Sequence, residues 1–196
     1  MGTRGALGFH IDGESKLTYN HFDSYPSYLG KIMVDTVREV LADPERGLNW
    51  MRQRARAIEM LPEDIVPTPE MIERLEPYTD LTVSKQSTSD LYCLTREMQG
   101  KPLAYLEAGL MPDGRGFVAD SLFCEYAYVV NLDDNLLEFY TGFQGLPHEQ
   151  GRYAKDPVKT GGRKQFYPVA LVGQFPLDAI PDDWLEQLFP SDDDDE

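Results

Sequence analysis

Two short stretches of alternating polarity, joined by Asp12-Gly13, constrain this chain more than any other feature of it. Between residues 3 and 11 the apolar side chains of Leu7, Phe9 and Ile11 fall on every second position, the period of a strand with one buried face. Asp12-Gly13 is tight-hairpin chemistry, because glycine accepts positive φ without steric cost and aspartate bonds its own backbone. Residues 16–20 alternate again, with Leu17 and Tyr19 on one face. The second strand runs directly into Asn20-His21-Phe22-Asp23-Ser24-Tyr25-Pro26, where six of the seven side chains can hydrogen-bond or stack. Loops that leave rigid strands are where binding residues collect.

A second hairpin is predicted further on. Residues 123–132 are rich in strand formers (Tyr126, Tyr128, Val129, Val130), Asp133-Asp134-Asn135 forms the turn, and residues 136–140 return. Its nearly continuous apolar character points to a central place in a sheet. One more strand is expected over residues 166–172. Helical spacing predicts a helix over 28–42, with Met33, Val37, Val40 and Leu41 inward, stopped by Asp43-Pro44. A second helix is expected over 44–61, its outer face carrying Arg52 and Arg56 with Arg54 nearby. That run reads as a wet helix face, with pairing to the acidic C-terminus as the alternative. Thr68-Pro69 is a helix start, Thr as cap and Pro in the first turn, leading to about Glu76. Residues 81–89 read as a polar loop, and 89–98 as a helix ended by Gly100. Residues 103–110 fit helix or strand equally, and Pro181 opens a last helix carrying Trp184, Leu185 and Leu188. The expected fold is α+β: a mostly antiparallel sheet of two hairpins plus a further strand, with the helices of residues 28–98 on one face. Residues 1–190 are expected to form one domain and 191–196 an acidic disordered tail.

The chain's length of 196 residues suffices for a sizeable core. Cys93 and Cys124 match neither a disulfide framework nor a zinc spacing, and suit a reducing compartment. No apolar run reaches the length of a membrane span, and the N-terminus lacks the apolar core of a signal peptide. A cytosolic protein without membrane contact is expected. A net charge of −16 argues against direct nucleic-acid binding, which requires a basic footprint. After Lys164 there is no Lys or Arg but there are nine carboxylates, ending in Ser191-Asp192-Asp193-Asp194-Asp195-Glu196. Such a run reads as a solvated tail, or as a surface for a basic protein partner, including one that the chain would engage by imitating DNA.

Several constellations are open to chemistry. His10 with Asp12, and His21 with Asp23, are spaced as metal-ligand pairs, but no further ligands accompany them and no metal or other cofactor is expected. Both cysteines sit among apolar residues and read as inert core rather than as a thiol nucleophile served by His148. Gly161-Gly162-Arg163-Lys164 lacks the spacing of a phosphate loop. His21, Asp23, Tyr25 and Tyr28 are the binding candidates of the first hairpin loop, with an unknown small molecule or protein as partner.

Two resemblances bear on this opening. The hairpin with Thr3 at its head and Asn20 and Asp23 after its second strand resembles the leading hairpin of N-terminal-nucleophile hydrolases. That resemblance implies Thr3 as an amide-attacking nucleophile after processing, Asn20 and Asp23 as orienting or oxyanion groups, and Lys31 as a distant electrostatic aid. The opening MGTRG followed by YNHFDSYPSYLG also resembles a group of small proteins of bacteria and their phages with no established activity. It implies an intracellular, phage-associated origin and no particular chemistry. The expectation is a binding or accessory protein centred on the first hairpin loop. The alternatives are an amide hydrolase using Thr3 and an acidic DNA mimic.

Overall fold

The computed structural model describes residues 2–158 and 165–190. The chain is an α+β protein, with 36% helix and a five-stranded, mostly antiparallel sheet containing one parallel pair. The first hairpin forms as its pattern dictates, β1 over Gly5–Ile11 and β2 over Glu14–Asn20. Asp12 and Gly13 take φ of 53° and 78° at the turn. The second hairpin pairs β5 (Tyr126–Asn131) with β6 (Leu136–Thr141), and β7 (Ala170–Pro176) adds antiparallel to β6. The sheet order is β2-β1-β5-β6-β7, so the first strand of the chain is interior.

The pairing of β1 with β5 is the parallel one. A parallel pair needs a crossover, and here the crossover spans the whole middle of the chain. It holds α1 (Lys31–Ala42), α2 (Gly47–Ala57), α3 (Pro69–Leu75), α4 (Leu91–Leu94) and α5 (Pro102–Ala108). Alternation along the strands then sorts the two faces. Leu7, Phe9, Tyr128, Val130, Leu137 and Phe139 pack with Met33, Val37, Met51 and Tyr105 of the helices in the main core. Ala6, Leu17, Ala127, Val129 and Tyr140 point the other way, beneath Val118, Tyr153 and Val169. A final short helix, α6 (Trp184–Leu188), lays Trp184 on Phe139, with ring centroids 4.9 Å apart. Gly8 allows the first hairpin to close flat, since a Cβ there would sit 2.0 Å from the Lys16 carbonyl oxygen.

Tertiary contacts redraw some expected boundaries. The helix expected to Leu61 stops at Ala57, and residues 59–61 become β3 (Glu59–Leu61), parallel to β4 (Leu110–Pro112). The Lys16 ammonium donates to the Arg56 and Ile58 carbonyls at 2.8 and 2.7 Å, capping α2 from the first hairpin. The helix expected over 89–98 is interrupted at Thr95, whose hydroxyl donates to the Leu91 carbonyl and whose backbone leaves the helical region. Pairing of the last strand begins at Ala170 rather than 166, while Tyr167 and Val169 bond loop carbonyls of Gln144 and Val118. The Thr68-Pro69 start is as expected: the Thr68 hydroxyl accepts the Met71 N–H.

The arginines expected on a wet face of α2 are anchors. Arg56 grips the Asp12 carboxylate with two bonds, of 2.7 and 2.9 Å, at the first hairpin turn. Arg52 donates to the Leu132 carbonyl and the Asn135 side chain at the second turn, and Arg54 donates to the Leu106 and Glu107 carbonyls. The acidic run 191–196 and the Gly161–Lys164 segment lie outside the described residues. Among those that are described, no helix is long and apolar enough to cross a membrane.

Candidate functional site

Beside β2, one of the two edge strands of the sheet, lies a cavity of about 530 Å³. Its floor is Thr18 and Tyr19 of the edge strand. Pro112-Asp113-Gly114 closes one side by running against that strand. The Gly114 N–H donates to the Leu17 carbonyl at 2.8 Å, and a Cβ on Gly114 would sit 2.5 Å from the Tyr19 nitrogen. The Asp113 carboxylate holds this turn by accepting from the Arg115 backbone and guanidinium, which also keeps its carboxyl below the usual range. Phe117 follows, its ring edge-on to Tyr19 at 4.8 Å. Deepest is Tyr105, fully buried, whose hydroxyl bonds Thr18 and whose pKa burial drives upward.

The opposite wall comes from the polar loop before α4. Ser84 and Gln86, on either side of Lys85, both adopt left-handed backbone, with φ of 49° and 54°. Such conformations cost a non-glycine residue about 1–2 kcal/mol each, and strain of this kind gathers at functional sites. Asp90 fixes the loop. Its carboxylate accepts from the Ser84 hydroxyl at 2.6 Å, the Lys85 N–H at 3.3 Å and the Tyr92 N–H at 3.2 Å. The Ser84 bond is the chief cause of its lowered pKa. Asp90 thus spends its charge on the loop, and Lys85 is carried to the cavity wall. Among the described residues neither Lys85 nor Glu63, which lines the same cavity, forms an ion pair. The Tyr92 hydroxyl and the Gln99 amide nitrogen donate no hydrogen bond there.

The first hairpin loop forms the rim rather than the lining. His21 is exposed; its Nδ1 lies 3.1 Å from the Tyr19 hydroxyl and its N–H donates to the Gln99 side chain, so it ties two lining residues together. Asp23 sits in left-handed backbone at φ 54° and its carboxylate is 3.5 Å from the Tyr25 hydroxyl. Tyr25 and Tyr28 are exposed and meet edge-on at 6.2 Å. Asn20 is buried, its amide donating to the Phe22 carbonyl and the Ser24 hydroxyl at 2.6 and 2.8 Å. The Thr3 carbonyl accepts the Ser24 N–H, placing the head of the chain against this loop. Lys31 pairs with Asp35 one helical turn on. The structure thus brings Thr3, Asn20, His21 and Asp23 into one neighbourhood and places none of them in the cavity wall.

A second polar cluster lies on the far face of the sheet. Glu138 of β6 is 4% exposed, and all its lone pairs are engaged: Arg152 grips both oxygens, Asn131 donates to one and Tyr140 to the other, each at 2.8 Å. Next to it His10 Nδ1 lies 3.0 Å from the Ser15 hydroxyl, which is 3.2 Å from the Tyr153 hydroxyl, and His10 Nε2 is 3.5 Å from Asp133. Burial and Arg152 lower the His10 pKa. Cys93 and Cys124 are buried free thiols; burial raises Cys124 far above its ordinary value. The His148 ring is occupied by the Pro168 carbonyl and the Gln150 N–H. Among the described residues no group of three or more His, Cys, Asp or Glu is placed to hold a metal ion.

The wall residues Glu63, Lys85, Asp90, Tyr92 and Gln99 were not singled out in the sequence. The one available signal is Asp90 directly before the apolar start of α4, a capping position that also marks where the polar loop is pinned. None of the family models, curated proteins or solved structures compared with this chain matches it. Fold and site together define an α+β protein with a ligand-sized cavity on one sheet edge.

Proposed function

We propose that this is a binding or accessory protein that holds a small molecule in the cavity beside β2, with the first hairpin loop as its rim. One observation carries the reading: a cavity of about 530 Å³ is lined by Lys85, held on a strained and braced loop, and by Glu63, and neither forms an ion pair among the described residues. Lys85 and Glu63 are exposed on this wall, and among the described residues, cavity included, no buried side-chain polar atom lacks a hydrogen bond. Volumes of about 300–1,000 Å³ with a few convergent polar groups are usual for ligand sites. The two buried free thiols fit a reducing, cytosolic setting for this role. The test is a fragment screen by ¹H–¹⁵N NMR on the full chain. Binders should shift Tyr19, Tyr92, Gln99 and Phe117 together with His21. Shifts confined to the far face of the sheet, or none from any fragment, refute the reading.

A further inference from the structure

The cavity wall carries two opposite charges that nothing else in the described protein neutralises. The Lys85 ammonium has no carboxylate partner, because Asp90 is committed to Ser84 and the loop backbone. Glu63, on the segment after β3, has no cation, whereas Asp113 is neutralised by Arg115 at 2.6 Å. The same cavity is lined by the aromatic side chains of Tyr19, Tyr92 and Phe117.

We propose that the occupant is an amphoteric aromatic molecule of about dipeptide size, its carboxylate on Lys85, its ammonium on Glu63 and its ring among Tyr19, Tyr92 and Phe117. This rests on the cavity being the binding site. The charge inventory excludes neighbouring classes. A phosphate ester brings about −1.5 to −2 charge and calls for several donors or cations; this wall offers one cation among carboxylates, in a chain of net charge −16. A singly charged carboxylate is matched by one ammonium. A purely cationic ligand would satisfy Glu63 but leave Lys85 facing it with like charge. The edge-on Tyr19–Phe117 pair offers apolar surface to a flat ring and a π face to an ammonium. The cavity volume exceeds what one amino acid fills, which selects the larger member of the class.

The experiment titrates glycyl-tyrosine, its C-terminal amide and its N-acetyl form into the full chain, by calorimetry with NMR shifts to locate the site. The amide lacks the carboxylate and the acetyl form lacks the ammonium. Each should bind about tenfold more weakly than the parent, the usual weight of a hydrogen bond to a charged group. Lys85→Ala should weaken the parent about tenfold and make parent and amide equal; Glu63→Gln should do the same for parent and acetyl form. Both side chains are exposed, so both variants should keep the wild-type melting temperature. Equal binding of all three forms, or affinities unmoved by the two substitutions, overturns the assignment. If other fragments shift the cavity residues while no form of the dipeptide does, the ligand class is wrong and the site stands. If nothing shifts them, the site falls and the inference with it.

Discussion

Arg152→Ala should cost this fold more than an ordinary surface substitution. The guanidinium covers Glu138, whose side chain is 5% exposed, while Arg152 itself is 22% exposed. Among the described residues, removing it leaves the carboxylate with the Asn131 amide and the Tyr140 hydroxyl as donors. Stripping one partner from a buried ion pair costs about 3–5 kcal/mol, because the stranded charge keeps its desolvation penalty. Partial solvent access at Arg152 puts the expected loss near the lower end, about 3 kcal/mol. For a chain of this size each kcal/mol moves the melting temperature by about 2–4 °C, so a fall of about 6–12 °C is expected. Urea unfolding with linear extrapolation measures the loss directly. A second variant, Arg152→Met with Glu138→Gln, removes both charges; the Gln oxygen can still accept from Asn131 while its amide N–H donates to the Tyr140 hydroxyl, and the variant should recover at least about half of the loss. A loss under about 1 kcal/mol for Arg152→Ala would mean the pair behaves as a surface bridge. A double variant no better than the single would show that the stranded charge is not the cause.

Other outcomes follow from the same geometry. Burial lowers the His10 pKa, so the folded state prefers the neutral ring; its contribution is complete above about pH 6.5, the unfolded value, and is lost as pH falls from there toward the folded pKa. His10→Gln should therefore flatten the melting temperature between about pH 7 and 5, and an unchanged slope would assign that dependence elsewhere. Gly8→Ala drives a methyl into the Lys16 carbonyl oxygen and should cost about 3 kcal/mol or prevent soluble expression; a melting temperature near wild type would contradict the closeness of β1 and β2. Phe143 is 57% exposed in left-handed backbone, at φ 58°. Phe143→Gly should stabilise by about 0.5–1 kcal/mol in urea titrations by relieving that conformation, and a destabilised variant would mean the ring has packing the relief does not offset.

What the sequence determined by itself was local. Asp12-Gly13 and Asp133-Asp134-Asn135 specify turns through backbone chemistry within a few residues. Leu7, Phe9 and Ile11 specify a buried face, and Thr68-Pro69 specifies a helix start. These are short-range preferences that the tertiary context leaves intact. The α+β class followed from them. The candidate loop at 20–28 was legible for the same reason, as a polar stretch directly after a strand. Tertiary structure decided the rest. That β1 is interior and parallel to β5 depends on a crossover of more than a hundred residues, which no local pattern encodes. The end of α2 at Ala57 depends on Lys16 reaching across from the first hairpin. The burial of Glu138 depends on Arg152, Asn131 and Tyr140, which reach it from a later loop, a neighbouring strand and its own strand. The cavity itself is assembled from an edge strand, the turn after β4 and the loop before α4. Its residues come together only because the sheet leaves β2 unpaired on one side, and a space between distant segments has no signature in the order of residues along the chain.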